Sequence, residues 1–129
     1  MNPDIWGHHA WVFLHATAHA YPEDPTDADK EHYTNLFLSL RYTLPCPTCQ
    51  EHFRTVIQKN PIRLDSRRDV EEWVVDIHNE VNRNLGQDEY SYSEAKRHLL
   101  SIAPSTSAST SAIIELCILV VLMTWLAAS

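Results

Sequence analysis

The sequence predicts an all-α fold, and two observations carry that prediction. Apolar residues return every three or four positions through most of the chain, the spacing that lines one face of a helix. Only two glycines occur, and neither sits in an alternating Val/Ile/Thr run that would read as a strand. Pro22, Pro45, Pro61 and Pro104 then cut the pattern into helical lengths, because proline cannot continue the hydrogen-bond ladder. A chain of 129 residues buries one modest core, so a single globular domain is expected over residues 1–103.

The first helix is expected from Pro3 to Tyr21, with Trp6, Ala10, Leu14, Ala18 and Tyr21 on its apolar face and Pro22 as its stop. The second opens on Thr26 and Asp29, spaced as a capping box, and carries Tyr33, Leu36, Phe37, Leu40 and Leu44 up to Pro45. Cys46 stands at the N-cap of the third and Pro47 at its first position. Cys49, Phe53, Val56 and Ile57 follow on one side until Asn60-Pro61. A polar loop over residues 62–68 leads to the fourth helix, marked by Val70, Trp73, Val74, Ile77, Val81 and Leu85, with Gly86 as its C-terminal stop. Ser93 caps a short fifth helix ending near Ile102.

Beyond it, Pro104 and the run STSASTS form a linker over residues 104–111. Residues 112–128 are apolar all round except for Glu115, which suits a transmembrane tail anchor. At about 1.5 Å per residue that segment reaches roughly 25 Å, short of a ~30 Å hydrocarbon core, so Glu115 must lie near an interface. A partner-binding amphipathic tail or a buried helix is the other reading. The N-terminus has no basic stretch followed by an apolar one, so no cleaved signal peptide is expected and the domain should begin in the cytosol. A formal net charge of −7, with no long Lys/Arg cluster to build a basic groove, argues against nucleic acid as a partner.

Three cysteines are too few for a disulfide-stapled scaffold. Cys46-Pro47-Thr48-Cys49 instead places two sulfurs within bonding reach at a helix start, where free N–H groups and the helix dipole favour thiolate. That is an electrostatic setting for redox chemistry. Three alternatives accompany it. A thioredoxin would need a strand before the motif, and none is present. A structural zinc site could draw on Cys46, Cys49, His52 and His78 in a membrane-tethered interaction module. A cofactor-free redox relay needs only the pair. Cys117, alone in the apolar tail, reads as a small apolar residue.

Three stretches together resemble the Erv/ALR sulfhydryl oxidases: Trp6-Gly7 with Trp11, Leu14-His15 and Tyr21-Pro22; Pro45-Cys46 with Cys49; and Trp73 with His78-Asn79, Val81-Asn82 and Leu85-Gly86. The resemblance implies a four-helix bundle with a short fifth helix, enclosing noncovalent FAD, and a helix-packed homodimer. It implies that Trp11, His15 and Tyr21 line the flavin and that His78, Asn79, Val81 and Asn82 hold its adenine side. It makes Cys49 the flavin-proximal sulfur and Cys46 the one that meets protein thiols, with electrons passing to oxygen as hydrogen peroxide. Gly7 would allow close approach to the cofactor, and His52, one turn beyond Cys49, would turn toward the same pocket.

Departures from the family pattern bear on stability and affinity. Val75 stands where many members have the first cysteine of a structural disulfide, and its partner is missing too, so packing alone must hold the fold. Gln87 replaces a frequent lysine, a loss that Arg83 or Lys96 would offset at the phosphates. A compact oxidase without accessory disulfides is similar to those of large cytoplasmic DNA viruses. Such enzymes act on viral protein thiols at the cytosolic side of intracellular membranes or in the virion, often through a small redox relay protein.

Overall fold

The computed structural model describes residues 1–102, and within them five helices and no strand. They are α1 (Pro3–His19), α2 (Asp27–Thr43), α3 (Pro47–Lys59), α4 (Arg67–Leu85) and α5 (Tyr92–Ile102). The linker, the tail anchor and Cys117 lie outside the described residues. Among the described residues no helix is long and apolar enough to cross a membrane.

Local chemistry sets the helix ends. Thr26 and Asp29 form the full capping box at the start of α2. Ser66 accepts the Asp69 N–H at 3.2 Å and starts α4 inside the stretch expected to be loop, because its hydroxyl satisfies a free donor of the first turn. Gly86 closes α4 at φ 69°, a left-handed conformation that glycine reaches without a Cβ penalty. For α5 the reciprocal cap is Ser91 rather than Ser93: Ser91 Oγ accepts from the Glu94 N–H, while the Ser91 N–H donates to the Glu94 carboxylate. The expected spacing was displaced by two residues because Glu94, at the third position of the first turn, completes the box with Ser91.

The helices pair as α1 along α4 and α2 along α3, with α3 also against α4. Met1–Leu99 forms one compact unit. At its centre Trp73 is fully buried, edge-on to Phe37 of α2 at 5.1 Å, with its indole N–H donated to the Asn60 carbonyl at 2.9 Å. This is the arrangement a buried tryptophan needs: a large apolar body and a partner for its one donor. Tyr21 is equally buried, edge-on to Tyr33 at 4.6 Å, and donates its hydroxyl to the Leu64 carbonyl. Val75 is buried as well. Leu85, expected on the apolar stripe, is 63 % exposed in the last turn before Gly86.

α5 buries no residue and is held by polar contacts. Tyr92 donates its hydroxyl to Asp76 of α4 at 2.8 Å, and Lys96 pairs with Glu71 at 3.5 Å. The Asn79 side chain brackets the preceding loop, donating to the Tyr90 carbonyl at 2.8 Å and accepting the Tyr90 N–H at 2.9 Å.

Candidate functional site

Cys46 and Cys49 are joined as a disulfide at the α2–α3 corner. Proline at 45 ends α2, Cys46 takes an extended backbone as N-cap, and its sulfur accepts the Cys49 N–H at 3.2 Å. Gln50 donates its amide to the Leu44 carbonyl at 2.8 Å and the Cys46 N–H reaches the same oxygen at 2.8 Å, so the corner is braced from both sides. Both cysteines are half-buried, open enough to be attacked while their helix start keeps its electropositive character.

The second element lies along the α1–α4 seam. Trp11 and His78 stack face to face, with centroids 3.9 Å apart and planes 7° from parallel. His15 Nε2 lies 3.0 Å from His78 Nδ1, a bond in which one nitrogen carries the proton and the other accepts it. Burial, reinforced by charge repulsion from His98, lowers the His15 pKa to about 4. Burial, then repulsion from His15 and His8, does the same for His78. Both rings are therefore neutral near pH 7. Tyr90 flanks His78 at 5.8 Å.

One turn along α4, Asn82 is 4 % exposed, and its amide Nδ2 has no hydrogen-bond partner among the described residues. The indole Nε1 of Trp6 on α1 is in the same condition. A buried donor without an acceptor costs about 1–3 kcal/mol, so two of them, on the same two helices as the stacked rings, suit a planar ligand with carbonyl or ring-nitrogen acceptors. The residues fit a flavin by that chemistry.

The remaining predicted residues divide. Asn79 is spent on the Tyr90 backbone, and Val81 packs against the core. Tyr21 is not gathered into the cluster but held in the core with Leu64 and Tyr33. Arg83 is exposed in ion pairs with Glu80 and Glu89. His52 is exposed on α3. A Cβ added at Gly7 would meet nothing within 4 Å, so packing among the described residues does not call for glycine there. Lys96 is engaged with Glu71.

The zinc reading finds no support. Cys46 and Cys49 are bonded to each other, His78 is stacked on Trp11, and among the described residues no three His, Cys, Asp or Glu side chains gather to hold a metal.

Sequence reasoning missed Tyr90, the Trp6 donor and the His19–Glu71 pair that joins α1 to α4. Each depends on which helices become neighbours, and no local spacing signals it. Beside that pair a cleft of about 420 Å³ opens between α1, α4 and α5, walled by His15, His19, Glu71, Arg67 and Lys96. It touches the aromatic cluster only through His15 and excludes the cysteines, so the cluster and the disulfide, rather than the cleft, define the site.

Comparison with known proteins bears on this arrangement directly. The family model described as Erv1 / Alr matches residues 8–99. A probable FAD-linked sulfhydryl oxidase of Acanthamoeba polyphaga mimivirus is 41 % identical over 98 residues, covering 74 % of this chain and 68 % of that protein. The FAD-linked sulfhydryl oxidase ERV1 of Arabidopsis thaliana is 37 % identical over 81 residues, 63 % of this chain. The chain spans only 42 % of that plant protein's length. Among solved structures, the FAD-binding domain of Erv1 from Saccharomyces cerevisiae superposes with a TM-score of 0.74 at 25 % identity, over 81 % of this chain and 99 % of that one. With the family model matched from the first helix to the fifth, and the disulfide and aromatic seam both in place, the chain belongs to the Erv1/Alr family.

Proposed function

We propose that this protein is an FAD-linked thiol oxidase that installs disulfide bonds in protein substrates. The observation that carries the reading is the half-buried Cys46–Cys49 disulfide capping α3, in a family whose matched relatives are named FAD-linked sulfhydryl oxidases.

A substrate thiolate attacks the Cys46 sulfur. The Cys46–Cys49 bond breaks, a mixed disulfide forms, and Cys49 leaves as thiolate in the first turn of α3, where the helix dipole favours it. A second substrate thiolate then attacks the substrate sulfur of that mixed disulfide. The oxidised substrate departs and Cys46 leaves as thiolate, stabilised by the Cys49 N–H already aimed at its sulfur. The pair now holds two electrons more than at the start. A bound FAD would supply the acceptor for those two electrons, with oxygen as the final sink and hydrogen peroxide as its product. Trp11, His15, His78 and Asn82 would hold it, with Trp6 as a further donor; the two neutral imidazoles offer hydrogen bonds without adding charge.

The rest of the reading follows the family resemblance. Ile5 and Phe13, exposed on α1, support a helix-packed homodimer. The composition of residues 112–128 supports a membrane anchor that holds the catalytic domain on the cytosolic side, where a small redox relay protein would carry thiols to Cys46. The visible spectrum of the full-length protein, followed by oxygen uptake on adding dithiothreitol, tests the central proposal. Flavin bands with thiol-dependent oxygen uptake are expected; a colourless, oxygen-inert protein overturns it.

A further inference from the structure

A groove of about 410 Å³ runs between α2 and α3, with Leu38, Ile57 and Ile62 among its apolar residues and Arg41, Tyr42 and Arg54 among its polar ones. Both guanidinium groups gather at the same ring: Arg41 lies 4.9 Å and Arg54 5.5 Å from the centre of Tyr42. The chain carries a net charge of −7, yet no carboxylate lines this groove. Its local sign is opposite to that of the molecule.

Arg41 adds an unmet demand. Its Nε is buried and has no hydrogen-bond partner among the described residues, and a desolvated guanidinium N–H asks for a charged acceptor. Arg54 donates to Glu51, the one acid that reaches it among the described residues. That carboxylate is 69 % exposed, and an exposed pair of this kind contributes little and is readily exchanged. The groove shares its two helices with the reactive corner: Tyr42 is in the last turn of α2 before Cys46, and Arg54 is on the helix that both cysteines open.

Resting on the thiol-oxidase reading, we propose that this groove seats an acidic, apolar-flanked segment of the protein thiol substrate, beside the cysteine that attacks Cys46. Carboxylates of that segment meet Arg41 and Arg54, its apolar side chain enters between Leu38, Ile57 and Ile62, and Tyr42 stacks under the guanidinium groups. Small thiols bypass the groove, so it selects among protein substrates without altering the chemistry.

The test uses the full-length flavoprotein and two fluorescent dithiol peptides of equal length, one with Asp and Glu around an isoleucine and one with lysines in their place. The acidic peptide should bind about tenfold more tightly by anisotropy, and Arg41→Gln with Arg54→Gln should erase most of that preference. The double variant should also lose about tenfold in kcat/KM for the acidic peptide while its dithiothreitol turnover stays unchanged. Arg54→Glu alone repeats the test if circular dichroism shows the double variant unfolded. Equal binding of the two peptides, or an unchanged preference in the variants, overturns the proposal. Displacement of the acidic peptide by an equal concentration of an RNA oligonucleotide overturns it as well, since the groove would then be a general polyanion site. If dithiothreitol turnover is absent in the wild-type protein, the oxidase reading fails, and the anisotropy measurement still decides the groove.

Discussion

The disulfide corner and the aromatic seam solve opposite problems. At the corner, the reactive atoms are half-buried, and proline and N-cap geometry holds them. Along the seam, burial forces the imidazoles neutral, and on the same two helices two buried donors have no acceptor among the described residues. A sulfur that must be struck by another protein has to be reachable, whereas groups that grip a flat cofactor gain strength from a dry setting. Exposure, more than residue type, divides the proposed substrate side of this site from the proposed cofactor side.

The largest expected effect falls at the corner. Cys49→Ser removes the sulfur that must leave when Cys46 is attacked, so dithiothreitol-driven oxygen uptake should fall by about 10³-fold or more, in line with losing a nucleophile that acts as part of a unit. The flavin spectrum should persist, because the residues assigned to hold the cofactor lie on the seam. Oxygen uptake near the wild-type rate would remove Cys49 from the mechanism; loss of the flavin bands would dissolve the separation between the two regions.

Next comes the shared centre from which α4 presents its seam residues. Trp73→Ala deletes the largest fully buried side chain and strands the Asn60 carbonyl that its indole N–H now reaches. A loss of about 3–5 kcal/mol is expected in urea denaturation of the flavin-free protein. A loss below about 1 kcal/mol would mean that the core around Phe37 collapses onto the space.

Acid separates the regions more gently. Unfolded, His15 and His78 titrate near the ordinary histidine value of 6.5; folded, both are lowered to about 4. Below pH 6.5 the unfolded chain therefore binds more protons, and stability present at neutral pH drains away as pH falls toward 4. The carboxylates of Asp29, Glu80 and Glu94 are depressed too, by hydrogen bonds to Thr26, Arg83 and Ser91 respectively, but they act below the ordinary carboxylate values of 3.8 and 4.5. The interval from pH 6.5 to 5 thus isolates the imidazoles. Thermal melts of the flavin-free protein should decline across it, and His78→Phe, which keeps an aromatic face for Trp11, should flatten the decline. An equal slope in the variant would place the acid sensitivity elsewhere.

How much of this was legible in the sequence follows the range of the interaction. Thr26 with Asp29, Cys46 before Pro47, and Gly86 after the last turn are local devices, and the structure uses all of them. The apolar stripes likewise placed Leu14, Phe37, Val56 and Trp73 inside. What escaped was tertiary. Asn79 reads as a ligand-holding residue, yet its two bonds go to the Tyr90 backbone across a loop whose path no spacing reveals. Tyr21 reads as part of the cofactor wall, and no spacing shows that its ring also packs edge-on to Tyr33 of α2. No run of basic residues marks Arg41 and Arg54, which meet only because α2 and α3 pair and Tyr42 lies between them. The absent structural disulfide is similar in kind: Val75 could be read as a missing cysteine, but not the Tyr92–Asp76 bond that ties α5 to α4.

The smallest change in stability should come at the most telling residue. Asn82 buries an amide whose Nδ2 finds no acceptor among the described residues, so in the flavin-free protein that group weakens the fold that contains it. Asn82→Leu exchanges it for an apolar side chain of similar size, and urea denaturation of the flavin-free protein should be neutral or up to about 1 kcal/mol more stable. Flavin affinity, measured by fluorescence quenching on titrating FAD into the same protein, should weaken about tenfold, the usual scale for a lost buried hydrogen bond to a ligand. The two readouts move in opposite directions only if the amide is kept for a ligand. A loss of stability with unchanged FAD affinity would assign Asn82 to the core, and the seam would then be a packed aromatic interface rather than the dry half of a redox site.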